Sequence, residues 1–454
     1  MFTKYEQSGA FELTTNAEVA RGLSPGEKVA RIRNQHRYSQ KEFARLTNMS
    51  YGNLVKAERG EIEFTKTQLS RIKNLNNLKG LPLLDEERVA YVSRLYLWLE
   101  YIRIGRMDEA RTMREELMDV VRLEVCDYDL SLLFKMLEIR LMFANGDYDI
   151  ADMALDFSNH HVENLNNENL HHYYFNRGIE HYFKGDYEES VKFFLKALDI
   201  YESNEDVFPN ADPYLYYNIA NCYTYLDLPN EAVFFLLKAK AAYDEGRVSH
   251  LRTAMDSDLA SNYIVLNQLR DVEKLLANCL INAKSMKEDA LISNVLFVFG
   301  RYYKKTGDYA EAIDYFDKAL EYCTESSALY FPILYYKTYA LIAGEMFTKA
   351  TLVLRMVKKV CKDELWVIYF TALTCYLSIS RFIAGTRHKA AQYIENIAIP
   401  RFREAHDYLG ALDYYQLLEN HYTATGNTAK TAEMTKEMLA ITLRCYTNNH
   451  KRSN

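Results

Sequence analysis

Lys305-Thr306-Gly307-Asp308-Tyr309, followed by Ala312, Phe316 and Ala319, decides how most of this chain folds. Gly307-Asp308 supplies a turn. The apolar residues behind it recur at helical spacing and line one face of a helix. Upstream, Gly300 and Tyr303 lie on a preceding helix with the same period. The stretch therefore predicts two antiparallel helices. Small residues at 300, 312 and 319 allow close approach, and Tyr303 and Phe316 fill the gaps.

The same frame recurs as Phe143-Ala144-Asn145-Gly146-Asp147-Tyr148 and Phe183-Lys184-Gly185-Asp186-Tyr187, each with Ala or Ser three residues after the Tyr. Gly105-Arg106-Met107, Gly344-Glu345-Met346-Phe347 and Gly426-Asn427 carry weaker versions. Alignment on the turn places unit starts near 91, 132, 171, 213, 253, 293, 331, 372 and 412, a period of about 40. The unit at 171–212 matches well, through Gly178, Tyr187, Phe194 and Ala197, whereas those at 253, 372 and 412 are degenerate. The pattern resembles the tetratricopeptide repeat with helices longer than the minimal form. It implies a right-handed superhelix with a concave inner face.

Residues 39–60 obey a different grammar. Ser39 can N-cap one helix, with Phe43, Ala44 and Leu46 as its buried face. Asn48 suits a left-handed turn, Met49 plugs the core, and Ser50 caps a second helix. Leu54 and Ala57 turn inward, and Gly60 ends that helix. Tyr51, Gly52, Asn53 and Lys56 remain outward, at the end such a helix inserts into the major groove. Upstream, Ser24-Pro25-Gly26-Glu27 forms a capping box, opening a helix through Val29, Ile32 and Arg33. Over about 24–79 the chain resembles the repressor/Cro-type helix-turn-helix family, whose usual ending is Glu58-Arg59-Gly60. Asn48 stands for the commoner Gly and Ala57 for a larger aliphatic. The resemblance implies duplex DNA as partner, with Ser50, Tyr51, Asn53 and Lys56 on the reading helix and Gln40 and Arg45 near phosphates.

Charge follows this division. Residues 27–79 hold 12 Lys and Arg against 5 Asp and Glu, whereas residues from Gly80 onward hold 41 against 54. A basic head on an acidic body is what phosphate neutralisation at one end requires, although a solvated basic face would look similar. The expected organisation is an N-terminal extension over 1–23, a helix-turn-helix domain over 24–79, a linker over 80–90, and about nine repeat-like helix pairs over 91–454. The fold class is all-α.

Seven scattered cysteines, with no Cys-x-x-Cys, read as free thiols of a reducing cytosol. Met1–Leu23 contains charges and no apolar run. The longest uncharged stretch, Leu365–Ser380, has 16 residues, short of the ~20 that span a bilayer. A cytoplasmic protein without membrane partner is expected. No nucleophile–base constellation, phosphate loop or metal-ligand spacing stands out, so neither catalytic nor metal residues nor a cofactor are expected. The doublets His160-His161 and His171-His172 read as loop or groove surface.

Asn176 and Asn218 occupy the same place in consecutive units, and Asp258 holds it in the next; Asn221 and Arg301 lie one turn further along. That place faces the groove in such repeats, where an Asn amide can bond an extended peptide backbone at both N–H and C=O. A role in capping or inter-repeat bonding is the alternative. The 37 tyrosines include doublets such as Tyr216-Tyr217 and Tyr335-Tyr336; one ring of each is expected to pack and the other to reach water or the groove. A helix-turn-helix head on a tetratricopeptide solenoid resembles the RRNPP family of peptide-pheromone receptors. This resemblance implies a homodimer whose hold on DNA changes when a short reimported signalling peptide binds inside the superhelix. Matching by position gives Asn176 and Asn218 the backbone-clamping role, with Tyr217, Asn221, Asp258, Arg301 and Tyr335 around the peptide. Members acting as phosphatases carry a helical bundle in place of the DNA-binding head, which argues against an enzyme here. The competing readings are an adaptor that modulates a protein partner and a DNA regulator with no small ligand.

Overall fold

The computed structural model describes residues 25–35, 37–73, 85–123, 128–159, 162–204, 212–243, 249–381 and 387–446. Among them every regular element is a helix. The chain packs as two compact units, residues 1–209 and 210–454. The expected extension over 1–23, Ser24 and the first part of the linker lie outside the described residues.

Among the described residues the first unit opens with four short helices: α1 (Pro25–Gln35), α2 (Gln40–Leu46), α3 (Tyr51–Glu58) and α4 (Lys66–Lys73). Val29, Phe43, Ala44, Leu54, Ala57, Phe64 and Ile72 form their common core, with Met49 packed against it. Ser39 and Ser50 cap α2 and α3 by accepting the amides of Glu42 and Asn53, both at 3.2 Å. Asn48 turns the chain at φ 54° and Gly60 at φ 72°. Leu46 corrects the expected buried face: it is 45 % exposed. Thr47 is buried in its place, donating its hydroxyl to the Phe43 carbonyl at 2.8 Å. The close approach of α1 to α3 rests on Gly26, where a Cβ would lie 1.7 Å from the Ala57 carbonyl oxygen.

Three helix pairs complete this unit: α5 (Asp85–Arg103) with α6 (Met107–Leu123), α7 (Tyr128–Asn145) with α8 (Tyr148–Asn159), and α9 (Asn167–Phe183) with α10 (Tyr187–Glu202). Trp98, Leu95 and Leu117 anchor the first pair, and Phe143, Ala151 and Leu155 belong to the core of the second. Gly178 of α9 faces the ring of Phe194 so closely that a Cβ would sit 2.6 Å from it.

Six pairs build the second unit. They are α11 (Pro213–Tyr225) with α12 (Pro229–Ala242), α13 (His250–Val265) with α14 (Val272–Met286), α15 (Asp289–Thr306) with α16 (Tyr309–Glu321), and α17 (Tyr330–Ala343) with α18 (Phe347–Val360). Next, α19 (Glu364–Ser380) pairs with α20 (Arg387–Tyr393), which runs through a π-helical turn (Ile394–Ala398) into α21 (Ile399–Glu404). Finally, α22 (Tyr408–Ala424) pairs with α23 (Thr428–Tyr446). Nine helix pairs thus stand among the described residues, with the helix starts up to eight residues earlier than the repeat frame places them. Gly105, Gly146, Gly185, Gly307 and Gly426 make their turns in the left-handed region, and Asp227, Asn267 and Glu345 adopt it where glycine is absent.

Candidate functional site

The N-terminal helices present one exposed polar surface. Tyr51, at 49 % exposure, stands with Gly52, Asn53 and Lys56 on the open side of α3, and Arg45 is exposed on α2. Ser50 spends its hydroxyl oxygen on the Asn53 amide, which fixes the start of α3. Gln40 is half-buried and donates from Nε2 to Glu58 Oε2 at 2.7 Å. Glu58 also receives Arg33 Nε at 2.6 Å and Nη2 at 3.1 Å. Arg33 further donates to the Tyr38 carbonyl at 2.8 Å. This buried Arg33–Glu58–Gln40 network ties α1, α2 and α3 together. Its signal in the sequence was Glu58 beside Ala57, one helical turn past Leu54 on the inward side.

Asn176 sits elsewhere than expected. It is 0 % exposed, donates from Nδ2 to the Met136 carbonyl at 2.7 Å and accepts Arg140 Nε at 2.9 Å. Its amide bonds α9 to α7, and its full burial keeps it from meeting a peptide in the groove. The inter-repeat role therefore replaces the clamping role at this position. His171 and His172 are likewise buried rather than surface groups. His171 Nδ1 lies 3.0 Å from the Ala197 carbonyl, and the His172 ring lies tilted against that of Tyr96, centres 6.0 Å apart. Burial pushes the His172 pKa well down, so it stays neutral. His160-His161 lies outside the described residues.

The remaining groove candidates fall in the second unit, and several come together. Tyr217 donates its hydroxyl to Asp258 Oδ2 at 2.8 Å, and Asn221 hydrogen-bonds the same tyrosine. Asn218 donates to the Tyr214 carbonyl one turn back at 2.7 Å. Arg301 donates from Nη1 to Ser261 Oγ at 2.7 Å, with its guanidinium 5.6 Å from the Tyr336 ring centre. Among the described residues no carboxylate reaches ion-pairing distance of Arg301. Its field nevertheless acts on Asp258, Asp227 and Asp407. Burial raises Asp258 to about 6 against the lowering pull of Tyr217 and Arg301. Tyr335 is buried, its hydroxyl 3.3 Å from that of Tyr414, which places it in packing rather than on an open wall. Tyr336 is its partly buried neighbour.

Sequence reading missed a second charged layer. Lys304 pairs with Asp413 at 2.6 Å and lies 4.1 Å from the Tyr339 ring centre. Tyr369 donates to Asp407 Oδ2 at 2.6 Å, and Asp227 Oδ2 accepts the Leu409 amide at 2.9 Å. These links join residues up to 182 positions apart, so no local pattern could announce them. Tyrosines, two cations and several carboxylates are thus gathered on the helices of the second unit, side chains suited to polar and charged groups of a ligand. Among the described residues there is no cluster that could hold a metal ion, and no helix is long and apolar enough to cross a membrane.

Helix pairs, glycine turns and small-against-aromatic packing define a tetratricopeptide-like repeat fold, and the family profile "Tetratricopeptide repeat" matches residues 171–204 and 293–326. The fold is shared with several solved structures. A Rap protein complexed with competence and sporulation factor aligns with a TM-score of 0.65 at 15% identity, over 78% of this chain and 98% of that one. NprR in complex with its cognate peptide NprX aligns at 0.61 and 20%, over 80% and 99%. The apo form of the quorum sensor NprR from B. thuringiensis aligns at 0.60 and 19%, over 79% and 99%. The resemblance to the RRNPP architecture thus holds at the level of the fold. No curated protein matches the chain in sequence.

Proposed function

We propose that this protein is a cytoplasmic DNA-binding transcription regulator, not an enzyme, switched by a short signalling peptide bound among the repeats of its second unit. The reading is carried by one conjunction: a doubly serine-capped helix pair with Tyr51, Asn53 and Lys56 exposed, on a chain whose fold is shared with Rap and NprR structures. In this reading α2 and α3 are a helix-turn-helix and residues 24–79 the DNA-binding domain. α3 enters the major groove, Arg45 meets phosphate, and Gln40 acts indirectly by holding Glu58.

The peptide site comprises Tyr217, Asn218, Asn221, Asp258 and Arg301. Asn218 retains an unpartnered carbonyl oxygen among the described residues, and Arg301 retains N–H donors for a ligand carboxylate or carbonyl. The active species is a homodimer, because one such head reads only a few base pairs. The test is binding of fluorescent DNA from upstream of the protein's own gene, with and without synthetic peptides encoded by neighbouring small reading frames. A peptide-dependent change in DNA affinity is expected. Binding of DNA that no such peptide alters would leave a regulator without a small ligand, and no DNA binding at all would overturn the reading.

A further inference from the structure

In a repeat array each pair packs against its neighbours, so a bond between distant pairs reports a particular closed shape. The second unit has several, all converging on α22. Asp227, in the left-handed turn between α11 and α12 at φ 54°, accepts the Leu409 amide at 2.9 Å and also engages the Tyr408 amide. Lys304 of α15 pairs with Asp413, and Tyr335 of α17 meets Tyr414. Asp227 therefore caps the start of a helix five repeat pairs further along the chain, where backbone amides and the helix dipole favour a carboxylate. That helix already has its own cap, since Asp407 accepts the Gly410 amide at 2.7 Å. Two carboxylates share one helix start.

We propose that Asp227, Asp407 and the first amides of α22 form a proton-operated latch that closes the second unit on itself, engaged when the carboxyl pair holds a proton and loosened when both are ionised. The proposal stands without the peptide or DNA reading, because it concerns only the chain's own ends of this unit. Its geometry is unusual in containing repulsion: two acids face each other where one would cap. Burial, and then the Asp407 charge, push Asp227 up to about 7, against the lowering pull of the Leu409 and Tyr408 amides and of Arg301. Asp407 is raised too, chiefly by burial, with Tyr369 and the Gly410 amide opposing. The groups facing the pair are Arg301 from α15, Tyr335 and Tyr336 from α17, Tyr369 from α19 and Asp413 from α22, with His406 preceding Asp407 in the chain. None of these supplies an ion pair to Asp227 among the described residues.

The sign follows from linkage. The closed state binds the proton more tightly than the open state, in which Asp227 regains its ordinary acidity. Closure is therefore strongest in acid, weakens between about pH 4 and about pH 7, and is independent of pH above that. Amide hydrogen exchange of the full-length, peptide-free protein reads this directly, after correction for intrinsic exchange rates. Protection of the Leu409 amide should fall roughly thirtyfold from ~pH 5.5 to ~pH 8, while amides deep in α22, such as Leu418, hold theirs. Asp227→Asn keeps an acceptor oxygen without charge, so Leu409 should stay protected across the same range. Asp227→Ala removes the acceptor and should expose Leu409 at every pH with Leu418 still protected, which separates loss of the latch from loss of the fold. A flat wild-type profile, an Asn variant that tracks the wild type, or full Leu409 protection in the Ala variant would each overturn the latch.

Discussion

A buried amide bonded at both ends takes two inter-repeat hydrogen bonds with it when it is removed. Truncating Asn176 would remove the second, side-chain partner of the Met136 carbonyl and the acceptor of Arg140 Nε, whose guanidinium also lies 3.8 Å from the Phe175 ring centre. Asn176→Ala should therefore cost about 1–3 kcal/mol of stability, visible as a lower melting temperature in calorimetry. An unchanged melting curve would show the site to be wet and forgiving. Asn53 differs because it faces solvent, so Asn53→Ala should leave stability nearly untouched. In the proposed role it should lower discrimination between operator and unrelated DNA by about 1–3 kcal/mol. Lys56→Ala should instead weaken all sequences together and flatten the salt dependence. Titrations of specific and scrambled duplexes at two salt concentrations distinguish the two. The sequence placed Asn176 and Asn53 alike, as polar residues on helices. It could not show that Arg140 and Met136, from another repeat, would enclose the first and leave the second open.

At the scale of the element, the helix pairs were legible because their causes are local. Serine before a helix, glycine after it and apolar residues at a period of 3.6 act within a few residues of where they stand. The Gly300–Phe316 contact shows how far such reading reaches. A Cβ on Gly300 would lie 2.4 Å from the Phe316 ring, and that ring is fully buried with no room to retreat. Gly300→Ala should destabilise the protein by about 1–3 kcal/mol through overpacking. Adding Phe316→Leu should recover part of the loss, giving a coupling of about 0.5–3 kcal/mol in the double-mutant cycle. Strict additivity, measured by denaturant unfolding, would mean that α15 and α16 relax apart instead. The π-helical turn at Ile394–Ala398 was not foreseen. Pro400 lacks an N–H and its ring would strike the carbonyl four residues back, so the helix widens by one residue just before it.

For the whole molecule, the proposed coupling of peptide and DNA is a matter of linkage. A ligand shifts the shape of a repeat array only by its differential affinity for the two shapes. If peptide changes DNA affinity by some factor, DNA must change peptide affinity by the same factor. Calorimetric titration of peptide into free and DNA-bound protein should return that equality, and unequal factors would place the response outside a simple two-site scheme. A homodimer is expected by light scattering at micromolar concentration. A monomer with and without DNA would require a different account of operator recognition.

The sequence by itself determined the helical repeat, its nine pairs, the glycine turns and the serine-capped N-terminal helices, because each is written in neighbouring residues. Charge distribution was equally legible, since it needs only counting. The tertiary structure decided which polar side chains are free. It buried Asn176 and the His171-His172 doublet within the first unit, and brought Tyr217, Asn221 and Asp258 together while leaving Arg301 without an ion pair among the described residues. It also set Asp227 on the start of a helix 182 residues away. Such pairings depend on how each repeat rotates against the next. That small angle comes from packing along the array, so its sum over five repeats is absent from any single stretch of sequence.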